Sequence, residues 1–209
     1  MKKIIILFLF ILPLNYLNAQ FYKDLKFNLS DSLKLVESSN SYQKKVDILM
    51  NIGYRYEWSK GDSAIIFFNK AAEIAKQNKD KTLEFIAMSN ISMTYNQTIG
   101  NYPLGLHFAT ESGKLVSKIS NLSDSIRTFY NYNLTFSYGY LHNKELALKN
   151  LVEKWPISKR VQPGFVDGNI GKAFYILEEY DSATKYNRLV VEFFNKKPYE
   201  KRWSGAYIV

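Results

Sequence analysis

Cysteine is absent from this chain of 209 residues. Its absence excludes disulfides, thiol nucleophiles and thiolate metal sites together. Histidine is scarce too: His107 and His142 are the only two, and neither has a histidine or carboxylate at a spacing typical of metal ligands. No Ser/His/Asp arrangement stands out from the background. We therefore expect a protein that is not an enzyme and that carries no metal or cofactor.

The N-terminus has only a short apolar run. Met1–Lys3 is basic, Ile4–Leu14 is almost wholly apolar, and Ala19 offers a small residue for a signal peptidase. The run is shorter than the about 20 residues that a membrane-spanning helix needs. Residues 1–19 are therefore predicted to be a cleaved signal peptide, which places the mature protein in the periplasm or outside the cell; an uncleaved anchor is the alternative.

The charge of the chain is positive, formally +9. Loss of Lys2 and Lys3 with the signal leaves 26 basic and 19 acidic residues, or +7. In an exported protein, this charge indicates either a lysine-rich solvated surface or contact with anionic envelope polymers or lipid headgroups. We expect no nucleic acid as a partner, because a cytoplasmic nucleic-acid binder would require the signal to be false.

A pair of helical segments recurs four times along the chain. The first helices contain Asn51–Tyr56, Asn90–Tyr95, Asn133–Tyr138 and Asn169–Phe174, and the second helices contain Ala64–Phe68, Leu104–Phe108, Ala147–Leu151 and Ala183–Asn187. Small residues fall where two paired helices would cross closely. The predicted units are about 46–82, 83–124, 125–162 and 163–198, with the start of a fifth at 199–209 and an N-terminal capping helix region at 20–45. A repeat of this kind predicts a helical solenoid.

The repeat resembles the tetratricopeptide repeat (TPR). Asn169–Phe174 followed by Ala183 and Tyr186 matches its spacing without a gap, whereas the second unit has one extra residue near Ile99 and Gly105 in place of alanine. The first unit lacks one residue in the loop between its helices. The resemblance implies an all-α fold, a right-handed superhelix of antiparallel helix pairs, that binds a protein or peptide.

A narrower resemblance lies upstream. Asp31–Leu35 and Lys45–Ile52 are similar to the opening of the exported N-terminal TPR regions of bacterial sensor histidine kinases and helix-turn-helix regulators. Glu200–Val209 reads as a first helix without its partner, so we expect a truncated gene product, with a membrane helix and an output domain downstream. The resemblance implies the sensory part of a signalling protein; the alternative is a free-standing periplasmic or secreted scaffold without an output domain.

The first helices are expected to line the concave face, as the resemblance implies. The residues predicted to face outward there and to form a partner-binding groove are Tyr54, Trp58, Met93, Gln97, Tyr132, Phe136, Tyr140, Lys172 and Tyr175. Rings with a polar edge, an amide and a lysine suit an extended peptide or a carboxylate-bearing ligand. The alternative for each ring is ordinary core between helices.

Overall fold

The computed structural model describes residues 28–120, 123–151 and 163–196. The predicted signal peptide and the predicted start of a fifth unit lie outside the described residues. The described residues are helical or in short turns, with no strand among them. The all-α class predicted from the repeats is therefore confirmed.

Within each of the three described ranges, the helices follow one another with short connections. They are α1 (Leu29–Ser38), α2 (Tyr42–Tyr56), α3 (Gly61–Gln77), α4 (Lys81–Thr94), α5 (Tyr102–Val116), α6 (Asp124–Tyr140), α7 (residues 144–151), α8 (Pro163–Ile176) and α9 (Tyr180–Lys196). A π-helical turn, Tyr95–Ile99, extends α4. Where connections are this short, successive helices fold back on one another: α2 packs on α3, α4 on α5, and α8 on α9. No helix in the described part of the chain has the length and apolar character needed to cross a membrane.

Side-chain caps fix where several helices begin. Asn28 accepts hydrogen bonds from the first backbone N–H groups of α1, and Ser41, Asp80 and Asn101 do the same for α2, α4 and α5. Each cap satisfies backbone donors that have no partner inside the helix. The residue at which each of these helices begins is therefore determined by the capping residue just before it.

Small residues let the paired helices approach closely. A Cβ added at Gly53 would overlap the ring of Phe68, and one added at Gly171 would overlap the side chain of Asn187. Ala64, Ala147 and Ala183 are buried at the start of the second helices. These are the positions at which the repeat pattern places small side chains, because a larger one would overpack the crossing.

The described core contains two apolar clusters. The first, which we call the front cluster, joins α2, α3 and α4, and its fully buried members include Phe68, Ile52 and Ile91. The second, the rear cluster, joins α6, α7 and α8 around Phe136 and Ile170. The helix α1 rests on the front cluster through partly buried apolar residues.

Candidate partner-binding surface

Lys172 of α8 is the centre of a contact between distant repeats. Its Nζ donates a hydrogen bond to Oε1 of Gln97, 3.1 Å away and 75 residues earlier in the chain. The same Nζ lies 5.3 Å from the centre of the Phe136 ring, within the range of a cation–π interaction. Because α4 contacts α6 and α6 contacts α8, three first helices present these side chains on one shared face.

The π-helical turn places Gln97 at this face. A π-helical turn accommodates one additional residue within a helix, and the turn Tyr95–Ile99 coincides with the extra residue that the sequence shows near Ile99. Gly100 ends the turn with a φ of 76°, a left-handed conformation that glycine adopts without strain. Within the turn, Nε2 of Gln97 lies 3.4 Å from Sδ of Met93, which holds the amide oriented toward Lys172.

The charge of Lys172 also acts on Glu57, a buried carboxylate that is not among the residues predicted from the sequence. Glu57 follows α2 directly, and only 5% of it is exposed. Burial raises the pKa of Glu57 to about 7, while the positive charge of Lys172 opposes that rise. Burial lowers the pKa of Lys172 to about 8, and the charge of Glu57 acts in the opposite direction. No signal in the sequence relates Glu57 to Lys172, because the two residues lie 115 positions apart and occupy different positions within their repeats.

The predicted aromatic residues divide into supporting and accessible groups. Tyr132 and Phe136 are 7% and 1% exposed and belong to the rear cluster. They are therefore core residues that lie beneath the surface. Tyr54 packs edge-on against Phe68 at 5.4 Å between ring centres, and its hydroxyl accepts a hydrogen bond from Nδ2 of Asn90. Tyr54 is therefore partly core as well.

The remaining predicted rings lie near the turns between paired helices. Tyr140 stacks on Tyr102 with 4.7 Å between ring centres, and burial, aided by Tyr102, raises the pKa of Tyr140 to about 12. Tyr175 contacts Tyr180 edge-on. Trp58 is the most exposed of the predicted groove residues, at 36%. The structure thus brings Met93, Gln97, Phe136 and Lys172 together and leaves Trp58 and Tyr175 outside the contacts that Lys172 makes.

The histidines take no part in this surface. His107 is exposed on α5 and lies edge-on to Phe108, and His142 occupies an exposed turn with a φ of 57°. Across residues 28–120, 123–151 and 163–196, no three His, Cys, Asp or Glu side chains are grouped as metal ligands would be.

In comparisons with known proteins, no family model matches the chain, and no curated protein shows significant sequence similarity to it.

Glu57 makes the stability of the fold depend on pH. A carboxyl group whose pKa is raised on folding binds more protons in the folded than in the unfolded state, so its stabilising contribution is full below its ordinary pKa of 4.5 and is lost as pH rises through about 7. A shift of this size corresponds to about 3 kcal/mol over that range. We expect the free energy of unfolding of the wild type to fall by this order, relative to Glu57→Gln, between pH 4.5 and 7.

Urea unfolding of both proteins at constant ionic strength measures the difference. Glu73→Gln, at an exposed position of α3, controls for the loss of one negative charge. If the free energies of unfolding of the wild type and Glu57→Gln change with pH in the same way, the burial of this carboxylate is contradicted.

Proposed function

We propose that this chain is a non-catalytic module that binds a protein or peptide in the bacterial envelope, as the sensory part of a signalling protein. The observation that supports it best is the hydrogen bond from Lys172 to Gln97. It joins first helices two repeats apart, so residues from several units form a single surface. Solenoid proteins use surfaces of this kind to bind extended partners.

The chemistry of the surface suits a peptide. Met93 supplies an adaptable apolar contact, Gln97 an amide, and Tyr54 a partly buried ring with a polar edge. Lys172 lies in a largely desolvated setting and is influenced by the buried carboxyl group of Glu57, so its interaction with a partner's polar groups is stronger than in water. Specificity would arise from these charges, and affinity from the apolar contacts.

Selection from a random peptide library on the immobilised protein tests the proposal. We expect peptides to be enriched, and their affinity to fall at least about tenfold, or 1.4 kcal/mol, in the double variant Met93→Ala, Gln97→Ala. The matched control is Ile66→Ala, Leu104→Ala, which removes apolar side chains that are 54% and 37% exposed on second helices. We expect this control to bind like the wild type.

Two outcomes would contradict the proposed surface. The first is no enrichment of peptides above a bare support. The second is a loss of affinity in the control pair with none in Met93→Ala, Gln97→Ala, which would assign binding to the second helices.

A further inference from the structure

The front and rear apolar clusters are separated by buried polar residues. Between α4 and α6 lie Ser89, Asn96, Asn133 and Ser137, each at most 2% exposed. We call these four residues the polar seam. Met93 of α4 packs against the rear cluster. Between α4 and α6 the apolar contact is therefore interrupted by polar side chains.

Hydrogen bonds satisfy only some of the buried polar atoms in the polar seam. Nδ2 of Asn133 donates to the backbone oxygen of Ser89 at 3.3 Å, and Nδ2 of Asn96 donates to Oγ of Ser137 at 2.8 Å. The Oδ1 atoms of Asn96 and Asn133 and Oγ of Ser89 find no hydrogen-bond partner within the described residues. Opening the seam would let water reach these atoms, so the cost of separating α4 from α6 is lower than for an apolar interface.

Aromatic contacts lie at the two ends of the seam. At one end, Phe85 of α4 meets Phe129 and Tyr130 of α6 edge-on. At the other, Tyr102 of α5 stacks on Tyr140 of α6. A line between these two contacts runs along the helices. Rotation about that line would widen or narrow the face that the first helices form, while both aromatic contacts persist.

Lys172 spans the seam from the rear to the front. It stands on α8 above Phe136, in the rear half, and bonds to Gln97 on the extension of α4, in the front half. Its other charged neighbour, Glu57, also belongs to the front half. Repeats in a solenoid ordinarily contact only their neighbours, yet this lysine of the fourth repeat bonds to the second repeat.

We propose that the two halves of the chain hinge at the polar seam, and that Lys172 is a latch that holds the shared face closed. The latch rests on the proposed function, because it regulates access to the surface at which a peptide would bind. Loss of the contact to Gln97 frees the rear half to rotate away from the front half. A partner that bonds to Gln97 in place of Lys172 would open the latch and change the angle between the two halves of the chain.

The absence of cysteine allows two spin labels to be placed without other changes. The pair Lys70→Cys and Arg188→Cys spans the seam, and the pair Lys70→Cys and Thr110→Cys lies within the front half; all three positions are exposed. Distances are measured by pulsed electron paramagnetic resonance with Lys172 present, with Lys172→Met, and with the control Lys185→Met on exposed α9.

In Lys172→Met we expect the distance across the seam to shift to longer values and its distribution to broaden. The distance within the front half should stay unchanged, and Lys185→Met should match the parent for both pairs. Gln97→Met provides a second route to the open state, because it removes the hydrogen-bond acceptor while Lys172 stays in place. Helical circular dichroism is recorded for every variant.

An unchanged distance across the seam in both Lys172→Met and Gln97→Met would overturn the latch. Broadening of both label pairs would overturn the hinge, because it would mean a general loosening. The proposed function fails separately: if the seam opens but the selected peptides bind Met93→Ala, Gln97→Ala as tightly as the wild type, the latch stands and the binding surface does not.

Discussion

Replacing Ala64 by glutamate is expected to lower the free energy of unfolding by more than about 4 kcal/mol. Ala64 is fully buried in the front cluster at the start of α3. A carboxylate there would have to be buried without a partner or would force α2 and α3 apart. Because each repeat is stabilised by its neighbours, the loss should extend to the second repeat.

Ile66→Glu is the matched control, since it places the same side chain on the same helix at a position that is 54% exposed. Its cost should stay within about 0.5 kcal/mol. Thermal and urea unfolding, followed by circular dichroism, measure both variants. Equal destabilisation of the two would mean that α3 does not pack through the face that carries Ala64.

Phe136→Ala is expected to cost about 3–5 kcal/mol of folding free energy. Phe136 is 1% exposed, stacks near Tyr132 and fills the centre of the rear cluster. Its removal leaves a cavity and also takes away the ring beneath Nζ of Lys172. Phe136→Leu keeps most of the volume and should cost about 1 kcal/mol.

Tyr180→Ala serves as the control for loss of an aromatic ring, because Tyr180 is 55% exposed. The midpoints of urea unfolding for Phe136→Ala, Phe136→Leu and Tyr180→Ala distinguish the loss of buried volume from the loss of an aromatic ring. A loss below about 1 kcal/mol for Phe136→Ala, together with loss of peptide affinity, would mean that Phe136 faces the partner, as its position in the repeat predicted.

Much of this fold could be predicted because local features determine it. The small residues at Gly53 and Gly171 mark close crossings, and the structure places Phe68 and Asn187 against them. The extra residue in the second repeat became the π-helical turn because a helix can absorb one residue only by widening a turn. The helical periodicity of the sequence therefore predicted both the helix pairs and the extra residue in the second repeat.

The candidate surface was less predictable. Periodicity indicates which residues share a face of a helix, but it does not indicate how much of that face is exposed to solvent. Tyr132 and Phe136 have the outward register of the first helices, yet the packing of α6 against α8 buries them. Glu57 lies 115 residues before Lys172, and no repeat spacing relates the two. Their interaction depends on how neighbouring repeats are rotated, which many weak contacts between helices decide together.

A double-mutant cycle between Glu57 and Lys172 tests the central claim most directly. Free energies of unfolding are measured for the wild type, Glu57→Gln, Lys172→Met and the double variant, at a pH between the two pKa values of about 7 and about 8. If repeats one and four meet across the shared face, the two changes should be coupled by at least about 1 kcal/mol. Additivity within about 0.3–0.5 kcal/mol would mean that the two charges do not interact, and that repeats one and four do not meet across the shared face.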